Sequence, residues 1–312
     1  MHSATVSQHL LWRLGSLSST AALCLCLCGC LPSPLARRTS AFAKAATATT
    51  ANTEQAYDLV ESTYREAQLA HMVARYDEAG FDIAELKPFL PEQDRKVRVD
   101  VIEGLQSYAE LLAGVSGDQS LVDVDTSAKS LGASLQTLSA NKLIAAKLTS
   151  TDATLAASAI DALGRALIES KRRRELPIIL HNMQQPIETI CALISLDIGD
   201  PAHSGLRDEL HINYLDLLRE QKNYIADNKD KLTPFEKREE VRVLARLATS
   251  ESRADLALAR TQKALARLAQ AHTALALTAR QKNAPAFQLQ MEQFAASARQ
   301  LKSLYDTSPD QK

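Results

Sequence analysis

Two groups of residues in this chain have types and spacings that could carry chemistry. The first is the cysteines. Cys24, Cys26, Cys28 and Cys30 alternate near the start, and Cys191 stands alone far downstream in the apolar run Ile190 to Ile194. A thiol in such a run is expected to be a buried packing residue, because nothing basic beside it would stabilise the thiolate that nucleophilic chemistry needs. The second group is Asp208 and His211. Three residues apart on a helix, a carboxylate and an imidazole share one turn and can face a bundle core together, which is how helical bundles hold metal ions. That chemistry needs two such pairs and further carboxylates. No second Glu-x-x-His occurs, and His203 falls in an expected loop. Asp208 and His211 are therefore expected to be a structural or surface pair, with a metal-binding or enzymatic bundle using Asp208, His211 and His203 as the alternative. No Gly-x-Ser-x-Gly elbow and no phosphate-cradling glycine loop is present. The expectation is no catalytic residue, no cofactor and no metal.

The residues before Cys30 have a different character. From Met1 to Gly29 the only formal charge is Arg13, followed by an apolar stretch from Leu14 to Leu27. This is signal-peptide architecture, shorter than the roughly 20 apolar residues of a membrane span. It closes on Leu27-Cys28-Gly29-Cys30, which resembles a bacterial lipobox. The resemblance implies a signal peptide over 1–29, cleavage after the small Gly29, and lipid attachment at Cys30. Cys28 departs from the usual Ala, Ser or Thr. Leu31 in place of Asp implies the outer membrane, with the protein on its periplasmic face. Two alternatives are cleavage at the small-x-small site Ala41-Phe42-Ala43, releasing a soluble protein, and an uncleaved anchor.

Charge excludes one class of partner. The chain has 36 Lys and Arg against 37 Asp and Glu, so nothing in it attracts nucleic acid. The basic cluster Lys171-Arg172-Arg173-Arg174 is expected to be the solvated last turn of a helix, where cations complement the dipole. Apolar residues make up 46% of the chain but aromatics only 4%; alanine and leucine supply the difference, which favours helices.

These residues must then be positioned by helices. Residues 30–52, rich in Ala, Thr, Ser and Pro with no acid before Glu54, read as the lipidated Cys and a flexible tether, reaching some 25 Å. Tyr57, Val60, Tyr64, Ala67 and His71 then recur at helical spacing, with Gly80 a stop. Pro91 can open a second helix with Val97, Val101, Tyr108, Leu112 and Val115 on one face. Leu131, Leu135 and Leu138 mark a third; Asp152 can cap a fourth carrying Ile160, Leu163 and Leu167. Pro177 and Pro186 divide Leu176 to Ile198, whose second half is apolar nearly all round, as at the centre of a bundle. A membrane-inserting, toxin-like segment is the alternative there. Leu206, Leu210, Tyr214, Leu217 and Tyr224 define a further helix.

Thr233-Pro234-Phe235-Glu236 has the form of a capping box with proline at the first helical position. No Gly or Pro follows before Pro285. Ala254, Thr261, Leu268 and Leu275 fall seven apart, with Leu258, Leu265 and His272 as companions, an a/d seam. It is expected to pack within the chain against a final helix bearing Phe287, Met291, Phe294, Ala298 and Leu301, with a homodimeric coiled coil as the alternative.

The expected fold is all-α: an elongated antiparallel helical bundle over 53–232, with a long C-terminal helical hairpin over 233–312 packing on it. The expected function is a non-enzymatic, lipid-anchored binding or scaffolding module of the cell envelope. Its partners would be the membrane, through the N-terminal lipid, and another envelope protein.

Overall fold

The computed structural model describes residues 34–76, 80, 82–115, 172–199, 205–281 and 284–306. Among the described residues the protein is all-α. Its helices are α1 (Pro34–Ala74), α2 (Glu92–Val115), α3 (Arg172–Asn182), α4 (Gln184–Ile198), α5 (Leu206–Asp227), α6 (Pro234–Gln281) and α7 (Ala284–Asp306). The expected helices around Leu131–Leu138 and after Asp152 lie outside the described residues, as do the leader, Cys30, Lys171 and His203.

Helix α6 is the post on which the bundle is built. It opens as the sequence predicts. The Thr233 N–H donates to Glu236 Oε2 at 2.7 Å, and the Glu236 N–H donates back to Thr233 Oγ1 at 3.3 Å. Two backbone donors that the helix leaves orphaned are thus satisfied by side chains. The two hydrogen bonds from Thr233, backbone first and then side chain, hold the Glu236 carboxyl below its usual range. With no helix breaker inside, α6 runs for 48 residues, about 72 Å at 1.5 Å per residue. Its a/d seam is buried in this chain's own core: Ala254, Leu258, Thr261, Leu265, Leu268, His272 and Leu275 are all covered. The seam therefore packs intramolecularly.

Helix α7 folds back along α6 as an antiparallel hairpin. Arg267 Nη1 donates to Gln293 Oε1 at 2.6 Å, and Arg260 Nη1 to the Gln300 carbonyl at 2.7 Å. Helix α1 also runs antiparallel to α6 over most of its length, with Phe42 against His272 near one end and Glu66 paired to Arg246 at 2.7 Å near the other.

Two expectations need correction. The tether over 30–52 is not a tether from Pro34 onward: this stretch is the first half of α1, 41 residues long, and Phe42, Ala43, Ala46, Thr49 and Thr53 are core residues. The reason is local. Thr39, Thr49 and Thr53 donate their hydroxyls to the carbonyls of Leu35, Ala45 and Thr49, four residues back, at 2.8–2.9 Å. A threonine bonded in this way shows its neighbours a methyl group, and between alanines it makes a narrow helix face that packs closely. The boundary at 233 also disappears, because one continuous core takes residues from all seven helices. Within the hairpin α6 is the centre of the bundle, α7 packs on α6 and α1, and both share the one core.

Pro177 does not divide its segment; it lies inside α3. The break comes at Met183, and Pro186 sits in the first turn of α4, where its missing N–H costs nothing. Helix α4 is central as expected, burying Ile187, Ile190, Leu193, Ile194 and Ile198. No helix among the described residues is long and apolar enough to cross a membrane.

Candidate functional site

Asp208 and His211 lie on the first turns of α5, but they do not face a core. The His211 side chain is 57% exposed and its Nδ1 lies 3.1 Å from Glu251 Oε1 on α6. Among the described residues no three of His, Cys, Asp and Glu converge as a metal site would need. Cys191 is buried on α4, and burial pushes its thiol up to about 12, with Glu188 adding to the shift. Arg172, Arg173 and Arg174 lie in α3, which continues to Asn182, so they are not the last turn of a helix.

The polar groups that the sequence did not single out are inside. Arg98 on α2 and Asp197 at the end of α4 form a bidentate ion pair, Nε to Oδ2 and Nη2 to Oδ1, both at 2.6 Å. A third bond, Arg98 Nη1 to the Asp94 carbonyl at 3.0 Å, fixes the guanidinium to its own helix. Burial raises the Asp197 carboxyl while Arg98 pulls it down. The Tyr57 hydroxyl of α1 is buried here too, with no hydrogen-bond partner among the described residues. Desolvation, then the Asp197 charge, raises its pKa. Ninety-nine residues separate Arg98 from Asp197, so no spacing signal could have revealed the pair.

This buried pair marks a change in cross-section. Helix α2 begins beside it, with Arg95 on Asp58 and the Phe89 N–H on Glu61 Oε2. Helix α4 ends beside it, where Gln262 Nε2 donates to the carbonyls of Ser195 and Gly199 at 2.7 Å. Helix α5 starts there, Arg207 being forked onto Asp255 at 2.6 and 2.9 Å. A Cβ on Gly205 would come within 2.6 Å of the Gly199 Cα, so only glycine fits that crossing. On one side lies a thick body of α1, α2, α3, α4, α6 and α7. On the other, the ends of α1, α5 and α6 continue as a three-helix arm, with a core cluster of Ala67, Tyr214 and Leu247.

No protein-family model, curated protein or solved structure matches this chain.

Within the body, a second buried pair joins Tyr108 Oη to His272 Nε2 at 2.6 Å, with Phe42 edge-on to the imidazole. Burial lowers His272 to about 3, so the ring is neutral at any physiological pH. A cleft of about 570 Å³ runs between α4, α6 and α7, floored by Ala266, Ala269 and Ala274. Its charged group is Glu188, whose Oε1 accepts from the Thr273 hydroxyl at 2.6 Å. The arm offers something different. Leu69 and Val73 on α1, Tyr76 just beyond its end, Ile212 and Leu215 on α5, and Phe235 and Val241 on α6 are all exposed. Exposed apolar side chains mark a surface that another macromolecule covers where they are contiguous; the arm carries these seven, and the body carries others at Ile178, Leu277 and Leu289.

Proposed function

We propose that this protein is a lipid-anchored helical module of the bacterial outer membrane, facing the periplasm, which binds or scaffolds another envelope protein through its arm and catalyses no reaction. The observation that carries the reading is the apolar surface of the arm, with Val73 60% and Phe235 66% exposed on helices that bury their apolar faces elsewhere.

Two features support an anchor at the other end. The apolar leader closes on Leu27-Cys28-Gly29-Cys30, and α1 begins at Pro34, four residues after Cys30. Four extended residues span about 14 Å at most. A lipid on Cys30 would thus keep the start of α1, and with it the end of the body opposite the arm, within about 14 Å of the bilayer. Cleavage at Ala41-Phe42-Ala43 would remove or unseat Phe42, which is fully buried against His272 and Phe294; that weighs against a released soluble form. The Leu176 to Ile198 segment has most of its apolar residues engaged in the core, Ile178 and Leu196 excepted, and Asp197 tied to Arg98, which weighs against membrane insertion.

The test is made on the full chain in a Gram-negative host. Fatty-acid analogue labelling should appear in the parent and vanish in Cys30→Ser, with precursor accumulating. A photocrosslinker at Val73 or Val241 should give a discrete protein adduct that the same crosslinker at Lys263, on the body, does not. Unchanged labelling removes the anchor, and adducts independent of position remove the arm as a binding surface.

A further inference from the structure

A groove of about 680 Å³ opens between the first turns of α1 and the face of α7, at the end of the body nearest Cys30 in sequence. Its walls carry Arg37, Arg38 and Arg299, and its floor carries Ala41, Phe287 and Met291. The Arg38 guanidinium lies 5.9 Å above the Phe287 ring, so charge and apolar surface are joined in one wall. One carboxylate, Glu292, faces three guanidiniums.

The placement of Arg37 and Arg38 runs against helix electrostatics. A helix start carries partial positive charge and favours acids. The first turn of α1 has none, and no acid occurs before Glu54. The first turn of α7 has none either. Arg38 meets Phe287 and Phe42 meets Phe294, so α1 and α7 run parallel and both positive ends point to the same end of the body. Arg37 and Arg38 stand on the first turns of α1 and Arg299 lines the groove about four turns along α7, so three cations flank one apolar floor, an arrangement complementary to an amphiphile with an anionic head.

We propose that this groove binds the anionic headgroup of a bilayer phospholipid, with the apolar floor beneath the start of an acyl chain. The proposal rests on the anchored reading for its orientation, since a lipid on Cys30 would bring the groove to the headgroup layer. It would make the anchor end a lipid-selective contact that fixes the direction of the arm, where an acyl anchor alone leaves the body free to swivel.

The experiment places a reporter in the groove. Gln288 is exposed and lines it, and the sole natural tryptophan, Trp12, lies in the leader. The full chain with Gln288→Trp is reconstituted into phosphatidylcholine vesicles holding equal fractions of brominated phosphatidylglycerol or brominated phosphatidylcholine, with the parent chain as the blank for Trp12. Brominated phosphatidylglycerol should quench about fivefold more, the gain expected from a single arginine at an anionic surface. The preference should collapse at 1 M salt, where the Debye length is about 3 Å. It should vanish in Arg37→Gln/Arg38→Gln/Arg299→Gln. Because Arg38 packs on Phe287, the Arg37→Gln/Arg299→Gln variant serves as a second test that leaves that contact intact. Inorganic phosphate at millimolar concentration should not compete. Equal quenching by the two lipids, a preference that survives loss of the arginines, or displacement by free phosphate overturns the proposal. Fatty-acid labelling at Cys30 is read on the same samples: label without lipid preference removes the groove and keeps the anchor, and preference without label does the reverse.

Discussion

The body and the arm are built from the same long helices but held by different forces. In the body, α1 and α6 pass between α2, α3, α4 and α7, and Phe42, Tyr108 and Phe294 are buried completely or nearly so. In the arm the same two helices have only α5 for company. Their shared core is Ala67, Tyr214 and Leu247, supported by the Tyr214 hydroxyl on the Leu247 carbonyl and by ion pairs and polar bridges: His71 to Glu220, Glu66 to Arg246, Gln221 to Glu240. Exposed ion pairs contribute little, typically below about 1 kcal/mol each. The body thus has the buried apolar surface that sets global stability, and the arm, with its small core of Ala67, Tyr214 and Leu247, is expected to open at lower free energy.

The largest expected effect tests that division directly. Phe294→Ala, in the body, should lower the free energy of unfolding by about 4 kcal/mol, the cost of losing a buried aromatic and leaving a cavity. Leu247→Ala is equally buried, but its loss should appear chiefly as faster amide exchange in 206–250, with a smaller drop in global stability. Equal losses in denaturant unfolding, with no local change in exchange, would show that body and arm are one cooperative unit.

Next is the joint between the regions. Arg98→Met leaves the Asp197 carboxylate buried without a partner and should cost about 3 kcal/mol. Arg98→Met with Asp197→Leu should recover most of that, because a buried ion pair and an apolar pair of similar volume are often close in energy. If the double variant is as unstable as the single, the pair does more than satisfy itself, and the orphaned Tyr57 hydroxyl beside it is where to look.

These contrasts also explain what could be read in advance. Periodicity exposed α2, α5, α6 and α7, because their apolar residues recur on one face, and Thr233 to Glu236 announced a helix start in its own local chemistry. The a/d seam was readable for the same reason. The first half of α1 was hidden, because a run such as Ala45 to Thr53 has linker composition until its hydroxyls turn back onto the helix. The Arg98–Asp197 and Tyr108–His272 pairs were hidden because each is made by residues 99 and 164 positions apart. His272 did appear in the seam, yet an a position says nothing of a tyrosine from another helix. The groove combined both obstacles, its arginines lying in the supposed tether and on the last helix.

His272 gives a pH test of the body alone. Unfolded, the imidazole titrates near 6.5; folded, burial holds it at about 3. Below pH 6.5 the unfolded chain therefore binds a proton that the native state refuses. Stability should fall as pH drops from 6.5 towards 3, by about 1.4 kcal/mol per unit, or about 2 kcal/mol between pH 6.5 and 5. Tyr108→Phe/His272→Leu should remove this component while leaving that of the carboxylates. Parallel stability profiles for parent and double variant over that range would mean that the ring is protonated or solvated in the native body.

The smallest expected effect concerns the far tip of the arm, where α6 begins. Thr233 and Glu236 satisfy each other's backbone donors, and neither is buried. Replacing a capping threonine with alanine removes one of those bonds and costs about 1 kcal/mol. In a single cooperative bundle that loss would be shared by every residue and would lower the global melting temperature. In a bundle with a weakly held arm it should instead fray the first turns of α6, where Phe235 and Val241 are already exposed. Thr233→Ala should thus raise amide exchange over 236–247 severalfold and leave Leu265 and its neighbours unchanged, with Thr233→Ser restoring the parent pattern. Uniformly faster exchange along all of α6 would mean that the cap stabilises the body as well, and that the arm is as firmly built as the rest of the post.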